Sequence, residues 1–574
     1  MTTPLFDVVA MTEHWTRAHP DTVACRVDRR GHAETLTYGR LDELITRAAT
    51  RLARAGVTAG TRAAVMVPPG RELVAVVLAL LRLRAVPVLI DPGLGARAIG
   101  ACLAQAAPDA FIAVPRAHLA RLVLGWARDS VRTTVTLATS TLWLARTRHS
   151  GEAGTQHVPA PHVPAPHVPV SHVPAASPTP LGTPQVAAPS QVAPDAGDLA
   201  LIAFTSGSTG PPKGVPYRHR HLAGQTGLLA HVGALQPGTT VYSTFLPFAV
   251  AAPSMGCAAV IPRLDLRHPE RTDPAAMARS IAAHGVRGLF AAPALLDRLA
   301  RYCLRRGQVL DSVEIVLTAG APLPFAVLRR AQRCLPAHAD VRSVYGATEC
   351  LLVSMADAAE LAATAEATAR GAGTCLGGVL PGNRVRVIRI TDEAIPRWSD
   401  DLLAPPGTVG EITVAGPAVG DPYLARPYES ALARIDDHGE PVHRMGDLGR
   451  QDEQGRLWFA GRKSERVRTA DGELYTDQVE PIVNAVPGVR RSALVGVGAP
   501  GGQRPVLCVE CEPGTSRRER REVVERVRAH AGALGDVAPV LLHPGFPMDV
   551  RHASKIRRPL LARWAARKLG REER

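Results

Sequence analysis

The sequence predicts an α/β protein, with a large N-terminal domain of helix-covered, mostly parallel sheets and a small α+β C-terminal domain. Three observations carry that expectation. The chain has 574 residues, too many for one compact core, so two or more domains are expected. Short apolar runs at 86–90, 199–204, 288–292, 313–318 and 341–344 alternate with helical stretches, the pattern of parallel strands covered by helices. After Gly461 the character changes to a basic, compact segment, which divides the chain into 1–460 and 461–574.

Leu41, Leu44, Ile45, Ala48, Ala49 and Leu52 recur at helical spacing, and Gly56 stands where a C-terminal stop belongs. The most apolar window, 73–90, is broken by Arg82 and Arg84. It reads as a buried helix followed by a strand, not as a membrane span. Met1 to His19 lack the basic start and apolar core of a signal peptide. Nine cysteines lie far apart, an odd count that fits reduced thiols and a cytoplasmic location. Cys508 and Cys511 have metal-ligand spacing but no second pair, and read as two positions of a strand.

Residues 150–197 differ from the rest. His-Val-Pro recurs at 157, 162, 167 and 172 in a stretch rich in Pro and Ala. Proline every few residues holds the backbone extended and keeps the histidines from converging on a metal. A disordered insertion between two parts of the large domain is expected. Near the other end, residues 517–530 fit an amphipathic helix with Ser516 as its N-cap and a solvated, mixed-charge face. The net charge of +15 comes from scattered arginines, and aromatic residues make up only 4%, which argues against stacking on nucleic-acid bases.

Residues 201–215 carry the most functional information. The apolar run ending at Phe204 gives way to Thr205-Ser206-Gly207-Ser208-Thr209-Gly210-Pro211-Pro212-Lys213-Gly214. Glycines let backbone N–H groups approach a polyphosphate, hydroxyls donate further hydrogen bonds, and Lys213 adds a mobile positive charge. A Walker loop needs Gly-Lys-Ser/Thr opening a helix. Here Gly214 follows the lysine and Pro211-Pro212 obstructs a helix, so this is a nucleotide loop of another type.

The stretch resembles the phosphate-binding loop of the adenylate-forming superfamily, which includes acyl-CoA synthetases, peptide-synthetase adenylation domains and luciferases. Further matches follow in the family's order: Thr318-Ala319-Gly320-Ala321-Pro322, Tyr345-Gly346-Ala347-Thr348-Glu349, Arg444-Met445-Gly446-Asp447, Gly461-Arg462 and Ser554-Lys555-Ile556. The element Leu36-Thr37-Tyr38 matches near the start. The resemblance implies attack by a carboxylate on the α-phosphorus of ATP, giving an acyl-adenylate and pyrophosphate. It implies that Thr205 to Lys213 hold the β- and γ-phosphates. Tyr345 and Gly346 would receive adenine beside Gly320, Ala321 and Pro322. Glu349 would bind Mg²⁺, with Thr348 at the α-phosphate. Asp447 would accept from the ribose hydroxyls, Arg462 would add charge near ribose or phosphate, and Lys555 would be the catalytic lysine. It also implies a mobile C-terminal lid. Ser554 replaces the family's usual glycine, and Ser464 stands at the hinge where many relatives carry aspartate.

The second step separates the subfamilies. Most acyl-CoA synthetases carry an aromatic-His pair after Leu-Pro, but Phe245-Leu246-Pro247-Phe248-Ala249 has alanine there. With residues 461–467, Tyr475-Thr476, residues 487–491 and Ile90-Asp91-Pro92-Gly93, the chain looks most like the β-lactone synthetases of bacterial olefin and β-lactone pathways. That resemblance implies a long-chain 2-alkyl-3-hydroxy acid substrate whose own hydroxyl expels AMP. It also implies pathway partners, a thiolase-like condensing enzyme and a ketoreductase. A long-chain fatty-acyl-CoA or acyl-carrier-protein ligase is the alternative. A silent adenylate-binding protein would lack Glu349 or Lys555, and both are present. The apolar segment from Phe248 to Met255 fits an alkyl pocket and plain core packing equally well.

Overall fold

The structure is a computed structural model that describes residues 7–28, 33–137, 143–147, 195–205, 210–233, 235–262, 272–531, 539–548 and 555–572. The His-Val-Pro repeat, Ser206, Gly207, Ser208, Thr209 and Ser554 lie outside the described residues.

Two large sheets face each other across a pair of helices. The first runs, in spatial order, Trp143–Thr147, Thr133–Leu137, Ala110–Ala113, Arg62–Met66, Val86–Leu89, Leu199–Phe204 and Gly214–Arg218. Its five central strands are parallel and its two edge strands antiparallel. The second begins with a parallel set, Val23–Asp28, Ala258–Ile261, Thr240–Ser243, Gly288–Phe290, Ile315–Ala319 and Asp340–Ala347.

The helices Tyr38–Arg54 and Arg71–Arg82 lie between the sheets. One continuous core joins Leu41, Ile45 and Val76 to Cys25 of one sheet and to Ala63 and Ile112 of the other. This position explains why every residue from Leu73 to Leu81 is apolar and buried: the helix has no water-facing side. Thr37 caps the first of these helices, its hydroxyl accepting from the Arg40 amide at 3.3 Å.

Alternation of strands and helices is borne out in both sheets, but the second extends further than the sequence reading. From Asp340–Ala347 the chain turns back into Cys350–Ala356, and antiparallel strands follow through Thr374–Val379, Leu457–Arg462, Glu440–Gln451, Gly410–Ala415 and Arg384–Ile388. Among the described residues the whole sheet has fourteen strands.

The chain leaves this sheet after Arg462. A smaller C-terminal body then forms around the strands Val489–Val497, Arg504–Cys511 and Val540–Leu542. The helices Thr476–Asn484, Arg517–Ala531 and Arg558–Glu572 cover it, with two cores of its own. Cys508 and Cys511 fall in its strand, and all nine cysteines are free thiols. Ser516 caps Arg517–Ala531 as expected, accepting from the Glu519 amide at 3.3 Å. Among the described residues no helix is long and apolar enough to cross a membrane.

Candidate active site

The glycine-rich loop is the turn of a hairpin. Leu199–Phe204 pairs antiparallel with Gly214–Arg218, and the turn is pinched at its base by two bonds. The Thr205 amide donates to the Lys213 carbonyl at 3.0 Å, and the Lys213 amide donates to the Thr205 hydroxyl at 3.0 Å. Gln105, from the helix Ala96–Ala106, accepts from the Gly214 amide at 3.3 Å and donates to the Leu424 carbonyl. Gly210 is exposed at the rim of the turn.

Across from the hairpin stand the strand ends of the second sheet. Gly320, Ala321 and Pro322 follow the strand Ile315–Ala319, whose Ala319 is in register with Val344, so they lie beside Tyr345. Thr348 and Glu349 form the tight turn between Asp340–Ala347 and Cys350–Ala356, where Ala347 pairs with Cys350. Gly346 is required there, because a Cβ would meet the Leu352 nitrogen at 2.8 Å and the Cys350 oxygen at 2.9 Å.

The segment 419–424 stitches the two sheets together at the site. Gly420 donates to the Glu349 carbonyl at 2.9 Å, Asp421 to the Pro216 carbonyl at 3.1 Å, and Leu424 to the Gly214 carbonyl at 2.8 Å. Arg218 donates to Asp421 at 2.7 Å. The Tyr423 hydroxyl donates to Glu349 Oε1 at 2.5 Å, and Lys213 Nζ lies 4.4 Å from the centre of the Tyr423 ring. Burial pushes the Glu349 carboxyl up, while His443, the Tyr423 hydrogen bond and Lys213 bring it down, and the net shift is downward. Burial also holds His443 neutral down to about 3. The net downward shift leaves Glu349 ionised at neutral pH.

Asp447 and Arg462 are register partners on adjacent strands. Arg462 Nε lies 3.0 Å from Asp447 Oδ1, and the Tyr345 hydroxyl donates to Oδ2 at 2.7 Å. Asp447 is buried, yet its Oδ1 accepts no hydrogen bond within the described protein. Burial raises its pKa against the lowering effects of Arg462, Tyr345 and Lys555. A buried ionic triad pins this strand pair. Glu411 Oε2 accepts from Arg444 at 2.6 Å, and Glu411 Oε1 accepts from Lys463 at 2.9 Å. Gly461, between the pair and the C-terminal body, has φ 144°, and a Cβ there would meet Thr476 Oγ1 at 2.5 Å.

Lys555 comes from the C-terminal body and acts electrostatically on Asp447, so it reaches the same site. Three residues later, Arg558 donates to Glu480 Oε1 at 2.5 Å, to Glu480 Oε2 at 3.1 Å and to Glu465 Oε2 at 2.8 Å. It also donates to the Leu494 carbonyl at 3.1 Å.

The structure thus gathers Thr205, Lys213, Gly320, Ala321, Pro322, Tyr345, Gly346, Thr348, Glu349, Asp447, Arg462 and Lys555 around the facing ends of the two sheets. The segment from Phe248 to Met255, by contrast, is packed inward. Phe248 stacks on Phe290 with centroids 4.8 Å apart, and Ala249 is 1% exposed. Gln105, Tyr423 and Arg558 are additions that sequence reasoning missed. Only Arg558 had a local signal, its place in the Lys-Ile-x-Arg run, and the surrounding arginines masked it.

Comparison with known proteins agrees with this geometry. The family of AMP-binding enzymes matches residues 12–424. Over 98% of both chains, the sequence is 43% identical to an olefin beta-lactone synthetase of Stenotrophomonas maltophilia and 43% identical to one of Xanthomonas campestris. The fold superposes on the amide bond synthetase McbA from Marinactinospora thermotolerans with a TM-score of 0.73 at 22% identity, covering 98% of this chain and 100% of that one. The facing strand ends, the hairpin between them and the relatives agree: the chain belongs to the AMP-binding enzymes and is an ATP-dependent, adenylate-forming ligase.

Proposed function

We propose that this ligase activates a long-chain 2-alkyl-3-hydroxy acid as its acyl-adenylate and closes it to a β-lactone. The observation that carries the adenylation half is the buried Asp447 carboxylate beside the Tyr345 ring, whose Oδ1 is ion-paired with Arg462 at 3.0 Å but accepts no aligned hydrogen bond. A buried carboxylate oxygen keeps lone-pair capacity for a further donor, and a ribose hydroxyl is such a donor. Tyr345 then offers its face to adenine, and the Thr205–Lys213 hairpin receives the β- and γ-phosphates.

Glu349, ionised at neutral pH, would hold a Mg²⁺ ion, which supplies neutralisation of phosphate charge. The donor fits: Glu349 offers one ionised carboxylate, and Mg²⁺ commonly takes one or two carboxylates together with substrate phosphates and water.

In the first step a carboxylate oxygen of the substrate bonds to the α-phosphorus and pyrophosphate leaves. Lys555 would stabilise charge on the carboxylate and α-phosphate as this happens. In the second, the 3-hydroxyl oxygen attacks the acyl carbon, AMP leaves and the hydroxyl proton passes to solvent. The attack is intramolecular, so a fixed rotamer gives it a large effective molarity. The relatives at 43% identity, named olefin beta-lactone synthetases, support this second step.

A 2-alkyl-3-hydroxy acid arises by condensation and ketone reduction, so a thiolase-like condensing enzyme and a ketoreductase are the proposed upstream partners. Nine free thiols support a reducing, cytoplasmic setting. The test supplies ATP, Mg²⁺ and a racemic 2-alkyl-3-hydroxy acid, with and without CoA. Lactone without CoA is expected; an acyl-CoA product with no lactone would overturn the reading in favour of a thiol ligase.

A further inference from the structure

The helix Pro115–Leu124 buries none of its residues, yet it is rich in large apolar side chains. Leu119, Leu122, Val123 and Leu124 are 63, 72, 75 and 50% exposed, four of the nine large apolar side chains that stand out on the described surface. At about 100° per residue, Arg116, Leu119, Leu122 and Val123 share roughly a third of the helix circumference. A contiguous apolar face of this kind marks a docking surface.

The surroundings are basic. Arg97, Arg116, Arg128 and Arg132 are exposed around it, and residues 96–137 contain only two carboxylates. One of these, Asp109, is turned inward to accept from the Arg62 amide at 3.0 Å; the other is Asp129. The neighbouring helix Ala96–Ala106 has no acidic residue. Trp126, just past the C-terminus of Pro115–Leu124, packs on that neighbouring helix, and a Cβ at Gly100 would meet its ring at 3.0 Å.

We propose that this apolar, arginine-rimmed face docks the enzyme on an anionic lipid bilayer. Apolar side chains ringed by arginine are the composition of an interfacial membrane helix, and the arginines match anionic headgroups. Charge also decides against other occupants. A second copy of a chain at +15 would set like charge on like charge. Residues 148–194 carry Arg148 and Glu152 as their only charges, so they offer the rim no counter-charge.

Gln105, on the helix beside this face, holds the Gly214 amide and the Leu424 carbonyl at the base of the phosphate hairpin. The surface stands on its own geometry, whichever acid the site activates.

The test is co-sedimentation of the full chain with vesicles of phosphatidylcholine plus phosphatidylglycerol, and of phosphatidylcholine alone. Wild type should pellet with the anionic vesicles at low salt. Raising the salt, or the double variants Leu122→Asp/Val123→Asp and Arg116→Glu/Arg128→Glu, should lower the bound fraction by about fivefold or more. Pyrophosphate exchange with a water-soluble acid should be unchanged in both variants, which shows that they fold. A wild type left in the supernatant, or double variants that pellet as it does, would overturn the proposal. So would a dimer that Leu122→Asp/Val123→Asp makes monomeric, or binding seen only after residues 148–194 are removed.

Discussion

Asp447 and Lys555 meet at one site from supports of different kinds. Asp447 sits within a sheet, in register with Arg462, under a tyrosine hydroxyl and beside a buried Glu411 triad. Its position is set by strand pairing, which leaves little freedom. Lys555 belongs to a separate body with its own cores; next to it Ile556 bridges Met548 and the Arg557 amide donates to the Pro547 carbonyl, and Arg558 is tied to Glu480 and Glu465. The side that would recognise nucleotide is therefore built into the fourteen-stranded sheet, and the side that would drive transfer is carried on a separate body. Precise recognition needs the first kind of support. A lysine carried on a separate body can move without disturbing the sheet that would hold the nucleotide.

The comparison is broken most severely at Lys555. If the lysine acts as proposed, by transition-state charge and not by packing, Lys555→Ala should lower pyrophosphate exchange on the order of 10³-fold while leaving the unfolding midpoint unchanged. Full exchange in that variant would remove the lysine from the mechanism.

Arg558→Ala should come next. It strands the buried Glu480 carboxylate and leaves the half-buried Glu465 unpaired, at a cost of about 3 kcal/mol to the C-terminal body in urea unfolding. Arg558→Lys keeps the charge and should restore most of that stability while kcat stays low and the KM for ATP stays normal. Equal recovery of both would make Arg558 merely structural.

The third probe is pH. Burial, followed by repulsion from Glu480, raises Asp477 from 3.8 to about 7 in the folded chain. The folded state then binds the extra proton between those values, so this contribution to stability is full below about 3.8 and lost as pH rises through about 7. Asp477→Asn should flatten the fall in unfolding free energy between pH 4 and 8 relative to wild type. Parallel pH profiles would contradict the raised value.

The smallest effect is expected at the rigid end. Tyr345→Phe removes one hydrogen bond to Asp447 and keeps the ring, so the KM for ATP should rise several-fold, about 1 kcal/mol, with kcat near normal.

Much of this was legible in the residues because it follows local rules. The run Leu199–Phe204 and the hydroxyl-rich loop after it are a strand and a turn on any reading, and the structure makes them a hairpin. The antiparallel extension was not legible. Gly410–Ala415 alternates polar and apolar residues but buries both faces, so its pattern misleads about its setting, and Thr374–Val379 contains two glycines. Tyr423 was invisible for another reason. Its partners, Glu349 and Lys213, lie far away in sequence, and only the stitching of the sheets brings them together. Arg558 sat in a run of arginines that reads as solvated surface; its burial beside Glu480 is a property of tertiary structure.

The stitch at 419–424 also bears on how the enzyme comes into being. Gln105 and Leu424 are separated by 319 residues, and Arg218 and Asp421 by 203. Contacts of such range form late, and large chains fold progressively as they are synthesised. A nascent chain can therefore build its first sheet and its hairpin long before the floor of the pocket arrives. Competence to hold nucleotide should emerge abruptly as translation passes the Asp447–Arg462 pair.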